Sequence, residues 1–322
     1  MIRRILVTLL ALVALVIAGF AIFVASRQHL KFDSAPYPDV TASTDSAVIA
    51  RGHYIVRGLA PCASCHGDPK QREAAENGEE IALSGGYEFN IPPGKFRARN
   101  ITPDPTGIGT FSDKAVGRAL RYGVGHDGRA LLPFMEMQGL SDEDLTAVVS
   151  YLRSRPPVHN EVPMHEYTLL GKIVKATVLA NPVGPKETPL KVSPHGANVE
   201  NGRYIVESVA LCGSCHTQRN MATGAFEGPR FGGATGFDAT DSLSWSPPNI
   251  TSDSTGKLSQ FTEDEFVARI RAGRVIPGSP MPWQSFRTMH EEDLRAIYRY
   301  LKTVPPVHRD VGPPLVLAAK KK

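Results

Sequence analysis

The chain has 322 residues, of which 42% are hydrophobic and 21% are charged, a balance typical of globular proteins and unlike that of disordered chains. This length accommodates two ordinary domains, each with its own apolar core. The formal net charge is only +4, and no run of lysine and arginine is interleaved with aromatic residues as a nucleic-acid-binding surface requires. Nucleic acid is therefore excluded as an expected partner.

The N-terminal segment, residues 1–27, is the first predicted element. After two arginines, Ile5 to Ala25 carry no charge. About 20 apolar helical residues cross a bilayer, so we expect one transmembrane helix, with the arginines in the cytoplasm and the rest of the chain on the far side of the membrane. The alternative is a cleaved secretory signal, for which residues 19–21 offer a small-x-small site.

The chain repeats itself with a shift of about 150 residues. Residues 51–67, RGHYIVRGLAPCASCHG, align with residues 201–217, NGRYIVESVALCGSCHT. Three later pairs follow in the same order: LSGG (83–86) with RFGG (230–233), NITPDPTG (100–107) with NITSDSTG (249–256), and DEDLTAVVSYLRSRPPVH with EEDLRAIYRYLKTVPPVH. Self-similarity of this extent predicts a duplicated domain, with copies at residues 46–158 and 197–308.

The first copy is predicted to be mostly helical, with irregular connections, because alternating strand patterns are scarce. Its first helix contains Gly52 and Tyr54 and leads into the cysteine motif. The second helix runs from Ser112 to Gly123, a residue suited to a helix C-cap. The third starts near Ser141 and stops before two consecutive prolines.

The second copy predicts the same three helices. The first again leads into a cysteine motif. The middle helix begins at Thr262, which makes an S/T-x-x-E capping box with Glu265, and ends at Gly273. The last helix runs through Tyr300 and Leu301 and stops before two prolines.

Residues 159–196, between the copies, are Pro-rich and predict a linker. Within it, residues 167–180 read YTLLGKIVKATVLA and predict one helix that packs on a domain face or on the membrane surface. Residues 309–322, after the second copy, predict a solvated tail.

The cysteines of the chain are Cys62, Cys65, Cys212 and Cys215, and all lie in the pentapeptides CASCH and CGSCH. A thioredoxin-like redox pair belongs beside a βαβ pattern, which neither copy has. A zinc site made of two C-x-x-C pairs would space them by about 15–20 residues, not by about 150. A disulfide within one motif would close a loop too short to stabilise the fold.

Covalent haem attachment uses every residue of the motif. Two thiols on one helical turn can add to the two vinyl groups of a porphyrin edge, and the histidine that follows then lies under the iron. The sequence therefore predicts two covalently bound haem c groups. The first is held by Cys62 and Cys65 with His66 as proximal iron ligand, and the second by Cys212 and Cys215 with His216. The predicted export agrees, because haem is attached to c-type apoproteins outside the cytoplasmic membrane.

Methionine is the predicted sixth ligand, because an electron carrier has both axial positions filled by protein. In the second copy, SPMPW presents Met281 about 65 residues after His216. In the first copy, LPFMEM presents both Met135 and Met137. Spacing does not decide between them. We prefer Met135, because its Pro-x-Met context resembles the Pro-Met context of Met281, and Met137 is the alternative.

Other polar residues are expected to be structural. The remaining histidines considered lie in polar or Pro-rich stretches or on the first helix and are expected on the surface or in loops: His53, His126, His159, His165, His195, His290 and His308. Asn100 and Thr102, repeated as Asn249 and Thr251, either hydrogen-bond a haem propionate or lock a loop, and we favour the second role.

These motifs together resemble class I c-type cytochrome domains: C-x-x-C-H after a G-x-Y helix, and a distal Met before a final helix that carries YL. The stretches LSGG, NITPDPTGIGTFSD, GVGHDGRALLPFM and LSDEDL are more closely similar to the multihaem cytochrome c subunits of membrane-bound bacterial dehydrogenases for alcohols, gluconate and related polyols. The resemblance covers residues 46–310 and implies a tandem pair of class I cytochrome c domains with the ligands named above. Family members often carry three haem domains and pass electrons from a flavin or quinone enzyme to ubiquinone or a terminal oxidase, whereas this chain has two C-x-x-C-H motifs.

The sequence thus predicts a dihaem cytochrome c in the periplasm, tethered by Ile5 to Ala25. Its expected electron donor is a membrane-associated dehydrogenase, and its acceptor a quinone, an oxidase or another cytochrome. We expect no substrate chemistry of its own. The alternative is a dihaem peroxidase that reduces hydrogen peroxide, for which one haem must open a coordination position. A zinc-binding or structural module is a third interpretation.

Overall fold

The computed structural model describes residues 1–60, 62–177, 180–220, 224–238 and 243–317, and over these residues the chain is mostly helical, as predicted. Helix α1 (Ile2–Ser26) carries no charge after its two arginines, and an 18-residue stretch of it has a mean hydropathy of 3.0. By length and composition it suits a membrane span, and a secretory signal would have the same properties.

The elements that follow α1 fall into two segments and a connection. Segment 1, residues 46–158, contains α2 (Ser46–Tyr54), α3 (Ala63–His66), α4 (Arg72–Glu76), β1 (Glu88–Ile91), β2 (Gly94–Arg97), α5 (Asp113–Tyr122) and α6 (Asp142–Arg153). The connection contains β3 (Glu166–Tyr167) and α7 (Leu169–Thr177). Segment 2, residues 197–308, and the tail contain α8 (Val199–Tyr204), α9 (Cys212–His216), β4 (Phe237–Asp238), β5 (Leu243–Trp245), α10 (Glu263–Arg271), α11 (Trp283–Phe286), α12 (Glu291–Thr303) and β6 (Leu315–Leu317).

The predicted helix ends are confirmed by their caps. The Ser112 side chain accepts a hydrogen bond from the Ala115 N–H at the start of α5, and Gly123 after α5 has a left-handed φ of 60°. The side chain of Ser141 caps α6 in the same way. The capping box predicted at Thr262 is present at the start of α10. Local side-chain chemistry therefore sets these boundaries.

Both α2 and α8 widen into a π-helical turn before the cysteine motif, at Ile55–Leu59 and Ile205–Val209. In each turn a backbone N–H bonds to a carbonyl five residues earlier, from Ala60 in segment 1 at 2.6 Å and from Ala210 in segment 2 at 2.7 Å. Such turns are rare and concentrate at functional sites. The same kind of turn therefore connects each motif to the helix before it.

A glycine lets the first and last helices of each segment cross at backbone contact distance. A Cβ atom on Gly52 would lie 1.9 Å from the Ala147 carbonyl oxygen of α6, and one on Gly202 would lie 2.0 Å from the Ala296 carbonyl oxygen of α12. No side chain fits in either gap. The crossing therefore requires glycine at both positions.

Short strands accompany the helices. The strands form two three-stranded antiparallel sheets, in the orders β1-β2-β3 and β4-β5-β6. The helix predicted at residues 167–180 begins at Leu169, because residue 167 belongs to β3, and residues 178–179 lie outside the described part. In the predicted tail, β6 pairs with β5, and residues 318–322 lie outside the described part.

The two segments pack against each other through reciprocal contacts. The Tyr54 hydroxyl donates to Asp293 at 2.6 Å and accepts from the His290 backbone N–H at 2.8 Å. In the opposite direction, the Tyr204 hydroxyl donates to Asp144 at 2.7 Å and accepts from the Ser141 N–H at 3.0 Å. These are equivalent residues of the repeat, so the interface has the form of an internal two-fold.

Candidate haem-attachment sites

The cysteine motifs lie on the short helices α3 and α9, at equivalent places in the two segments. All four cysteines are free thiols, so no disulfide joins them. Burial, with a smaller contribution from the neighbouring Cys65, raises the pKa of Cys62 to about 12. Burial likewise raises the pKa of Cys212 to about 12, together with Cys215. Thiol–disulfide enzymes lower the pKa of their attacking cysteine, so these sites do not have the properties of a redox pair.

Zinc is also disfavoured. Within the described residues, no group of three or more His, Cys, Asp and Glu side chains is arranged to hold a metal ion. The two C-x-x-C pairs, all of whose cysteines are described, therefore do not come together as a four-thiolate zinc site in this fold.

The motif histidines have one ring nitrogen occupied and one available. His66 donates from Nδ1 to the Arg99 carbonyl at 2.7 Å, and His216 donates from Nδ1 to the Pro248 carbonyl at 2.8 Å. Burial lowers the pKa of both imidazoles, so both are neutral at neutral pH. A neutral imidazole whose Nδ1–H bonds to a carbonyl offers Nε2 to a metal, which is the usual arrangement of a metal-ligating histidine. The residues present therefore fit a haem iron.

A glycine lies beside each carbonyl that accepts from a motif histidine, that of Arg99 and that of Pro248. The Gly85 N–H donates to the His66 carbonyl at 2.7 Å, and the Gly233 N–H donates to the His216 carbonyl at 2.9 Å. Both glycines have a left-handed φ, and a Cβ on Gly85 would lie 2.5 Å from the backbone of Arg99. The segment that supplies the accepting carbonyl therefore lies so close to this position that only glycine fits there.

These contacts correct the alignment of the repeat by one residue. The sequence comparison placed LSGG over RFGG, which pairs Gly85 with Gly232. In the structure, Ile101 N–H bonds to Leu83 and Ile250 N–H bonds to Phe231, so the equivalent stretches are LSGG and FGGA. Sequence identity favours the other register, because LSGG over RFGG matches two glycines and LSGG over FGGA matches only one.

The Asn–Thr pairs lock a loop, as we favoured. The Asn100 amide donates to the Val158 carbonyl at 2.8 Å, and its oxygen accepts from the Thr102 N–H and hydroxyl. The equivalent Asn249 makes the same bonds to Val307 and Thr251. Both asparagines are buried. This network ties the loop after the motif to the chain that leaves the last helix.

The two methionine candidates of segment 1 differ in surroundings. Met137 is 7% exposed, belongs to the core, and accepts at its carbonyl from the Leu140 N–H. Phe286, 8% exposed, accepts in the same way from Met289. Met137 is therefore the structural counterpart of Phe286, which packs in the core of segment 2. Met135 lies two residues before Met137 and is half-buried, and Met281 lies five residues before Phe286 and is also half-buried.

A buried arginine holds the segment that follows the methionines of segment 1, and an equivalent arginine holds the corresponding segment after Met281; neither arginine lies in a recognisable sequence motif. The Arg121 guanidinium on α5 donates to the Gln138 carbonyl at 3.1 Å and to the Leu140 carbonyl, and it pairs with Asp142 at 2.9 Å. The equivalent Arg271 donates to the Arg287 carbonyl. Their only signal in the sequence was recurrence at the same place in both copies.

The other histidines lie on the surface, as expected, with one exception. His53, His126, His159, His195, His290 and His308 are exposed, whereas His165 is half-buried and accepts from the Arg97 N–H at 3.2 Å. Burial, followed by nearby cations, of which Arg99 contributes most, lowers the pKa of His165 to about 4. No pattern at His165 signalled this environment, because the cations come from distant parts of the chain.

Comparison with known proteins defines the class. Residues 49–156 match the family model of cytochrome c. Covalent haem attachment is the property of that family, and the motif of residues 62–66 lies within the match. The chain therefore contains a cytochrome c domain.

Curated relatives extend the similarity over both segments. The chain is 31% identical to the cytochrome c subunit of a quinone-type alcohol dehydrogenase of Gluconobacter oxydans, over 82% of this chain and 56% of that protein. It is 28% identical to the fructose dehydrogenase cytochrome subunit of Gluconobacter japonicus, over 84% of this chain and 55% of that protein. It is 27% identical to a dihaem c-type cytochrome of Cereibacter sphaeroides, over 76% and 82%. The chain spans about half the length of the dehydrogenase subunits that it matches.

Proposed function

We propose that this protein is a dihaem cytochrome c that takes electrons from a membrane-associated dehydrogenase and delivers them singly to the respiratory chain. The first haem is held by Cys62 and Cys65, with His66 and Met135 as axial ligands. The second is held by Cys212 and Cys215, with His216 and Met281 as axial ligands.

The observation that carries the proposal is the hydrogen bond from Nδ1 of each motif histidine to a backbone carbonyl. Both motif histidines make it, with lengths within 0.1 Å of each other. The glycine bond and the Asn–Thr network beside the histidine are also repeated. A segment that had kept the C-x-x-C-H sequence without binding haem would not be expected to keep these hydrogen bonds around the histidine.

The protein contributes ligation and a fixed environment. When bound, haem supplies a one-electron Fe(III)/Fe(II) couple, and a methionine thioether as sixth ligand favours the reduced iron. Arg121 and Arg271 hold the segments that follow the two methionines, through the carbonyls of Gln138 and Arg287. Such support would help each methionine to stay bound to a haem iron, which would suit electron transfer rather than peroxide chemistry.

The packing of the segments brings the two motifs to one interface. The thiol of Cys215 is close enough to Cys65 to contribute, after burial, to raising its pKa. The Ser214 hydroxyl of the second motif donates to Glu136 at 2.6 Å, and Glu136 lies beside Met135. The attachment site of segment 2 is thus tied to the ligand loop of segment 1. Two redox centres with a fixed separation would accept the two electrons of a donor one at a time.

The dehydrogenase partner is supported by the names of the relatives, which are cytochrome subunits of alcohol and fructose dehydrogenases. These names favour the relay over the peroxidase. We further propose that α1 is retained as a membrane anchor and that residues 28–322 lie in the periplasm, where covalent haem attachment takes place.

Haem content tests the cofactor assignment. We expect two haems per chain after denaturation, which removes any haem that is not covalently bound. Replacing both Cys62 and Cys65 by alanine should leave one haem, and so should the matched replacement of Cys212 and Cys215. A wild-type protein with one haem per chain would refute the dihaem proposal.

Gentle solubilisation of the tagged full chain, followed by identification of what copurifies, tests the relay. We expect a dehydrogenase subunit whose substrate reduces the cytochrome. Rapid turnover of hydrogen peroxide by the reduced protein alone would refute the relay and establish the peroxidase.

A further inference from the structure

Helix α7 is seated firmly on the β1–β2 hairpin. The Thr168 hydroxyl donates to the Pro92 carbonyl at 3.0 Å, and the Thr168 N–H donates to the Pro93 carbonyl at 3.0 Å. A Cβ on Gly171 would lie 1.8 Å from the Pro93 carbonyl oxygen, so this part of α7 touches the hairpin backbone. The helix is therefore an integral part of the fold rather than a flexible portion of the linker.

Two leucines of α7 nevertheless remain outside the fold. Leu169 is 75% exposed and Leu170 is 43% exposed, whereas Gly171 and Val174 face the protein and are buried. Exposing two adjacent leucines to water costs about 1.5–3 kcal/mol for each side chain relative to burial. The pair gains significance from its position, because the same helix contacts the end of the apolar helix α1.

The same helix is tied to the end of α1. The Gln28 side chain donates to the Lys172 carbonyl at 3.0 Å, and the Lys175 ammonium donates to the Gln28 carbonyl at 2.6 Å. Val24, in the last turn of α1, is 8% exposed, although the rest of α1 is exposed. If α1 crosses a membrane, α7 lies at the level where α1 leaves the hydrocarbon.

Cations gather at this junction. Arg27, Arg129 and Lys175 line one cavity with Leu30 and Tyr167. The carboxylate that lines it, Asp127, is already paired with Arg129 at 2.5 Å. The Nε atom of Arg27 is buried and has no hydrogen-bond partner among the described residues. The half-buried His165, which also lines this cavity, has its pKa held low by burial and by surrounding cations, consistent with a positive local potential.

We propose that α7 and the end of α1 form a surface that lies on the outer face of the bilayer, with Leu169 and Leu170 inserted at the acyl boundary and the cavity cations bound to phosphates of anionic lipid. The composition fits this occupant, because exposed leucines and the cavity-lining Lys175 lie on one helix, as in an interfacial amphipathic helix. The inference rests on α1 being the membrane span of the proposed function, and it adds a second membrane contact and a lipid preference.

Spin labels test the depth of α7. The full chain is reconstituted in lipid nanodiscs with a nitroxide on Leu169→Cys or Leu170→Cys, and its accessibility to oxygen and to a polar nickel complex is measured. The control is Val275→Cys, a position in segment 2 that is 56% exposed. We expect both α7 labels to favour oxygen, as in lipid, and the control label to favour nickel, as in water.

Three results would overturn the inference. Labels on α7 that favour nickel as the control does would place the helix in water. Labels that neither reagent reaches would mean that a protein partner covers the helix. A purified protein whose mass lacks the N-terminal segment would remove the span that places α7. The haem content of the same samples tests the proposed function separately, because none of these results depends on the number of haems.

Lipid selectivity tests the cations. Spin-labelled phosphatidylglycerol and phosphatidylcholine compete for the full chain in a bilayer, and each of Arg27→Gln and Lys175→Gln should lower the preference for phosphatidylglycerol by about fivefold. The matched control, Lys302→Gln on α12, should leave it unchanged. Equal preferences in all four proteins would refute the phosphate site.

Discussion

Replacing the two methionines of segment 1 by alanine, one at a time, should distinguish the iron ligand from the core residue. Met137 is 7% exposed, so its replacement by alanine removes almost the whole side chain from the core. Such replacements cost about 2–5 kcal/mol of the free energy of unfolding. We expect Met137→Ala to lower stability by about 3 kcal/mol while the first haem keeps its methionine ligand.

Met135→Ala should give the opposite result. The side chain is half-buried, so truncation leaves a smaller cavity, but the first iron loses its thioether ligand. The long-wavelength absorption band that methionine ligation gives ferric haem should lose the contribution of one haem, and the reduction potential of that haem should fall. Absorption and redox titration measure both effects, and denaturant unfolding measures stability.

Segment 2 supplies the matched pair. Met281→Ala should remove the methionine band of the second haem and lower its potential. Phe286→Ala, at the position equivalent to Met137, should cost about 3–5 kcal/mol of stability and leave the band in place. If Met137→Ala removed the band of the first haem and Met135→Ala retained it, the structural equivalence of Met137 and Phe286 would have misled us about the ligand.

Two further predictions concern the fold. Gly52→Ala and Gly202→Ala should each destabilise the protein by at least about 1–3 kcal/mol, because the new Cβ would overlap a backbone carbonyl. The control is Gly184→Ala, whose Cβ would meet only ordinary contacts at 3.7 Å. Equal melting temperatures in all three variants would contradict the close helix crossing. The pKa of His165 is lowered to about 4, by burial first and by Arg99 next, so between about pH 6.5 and pH 4 the unfolded chain binds a proton that the folded chain does not. Stability should therefore fall as the pH is lowered over that range, and His165→Gln should reduce the slope; an unchanged slope would show that this histidine does not contribute.

Much of the attachment site was predictable because its signals are local. The C-x-x-C-H spacing, the caps at Ser112 and Thr262, and the repeat all depend on residues a few positions apart, or on direct comparison of two stretches. The same locality explains where the predictions were incomplete. Strands of two to four residues, such as β3, carry too little alternation to be seen, and adjacent glycines concealed the one-residue shift beside Gly85.

The choice between Met135 and Met137 shows what contacts between residues distant in the sequence add. Both residues follow a proline within a few positions, so the sequence favours one only by analogy. The structure distinguishes their environments, because Arg121 fixes the loop and the core receives Met137. A residue two positions from a predicted ligand can thus lie in a different environment.

By itself, the sequence determined three features of the protein: two similar stretches about 150 residues apart, four cysteines that all lie in two C-x-x-C-H motifs, and an apolar N-terminal helix. These features are set by periodicity, capping and spacing, which act over a few residues. The tertiary structure alone decided that Tyr54 reaches Asp293, that Tyr204 reaches Asp144, and that α7 lies beside the end of α1. Those contacts join residues separated by 60 to 239 positions. They exist because the helices must bury their apolar faces against one another, and the geometry of that burial cannot be read from any one stretch of the chain.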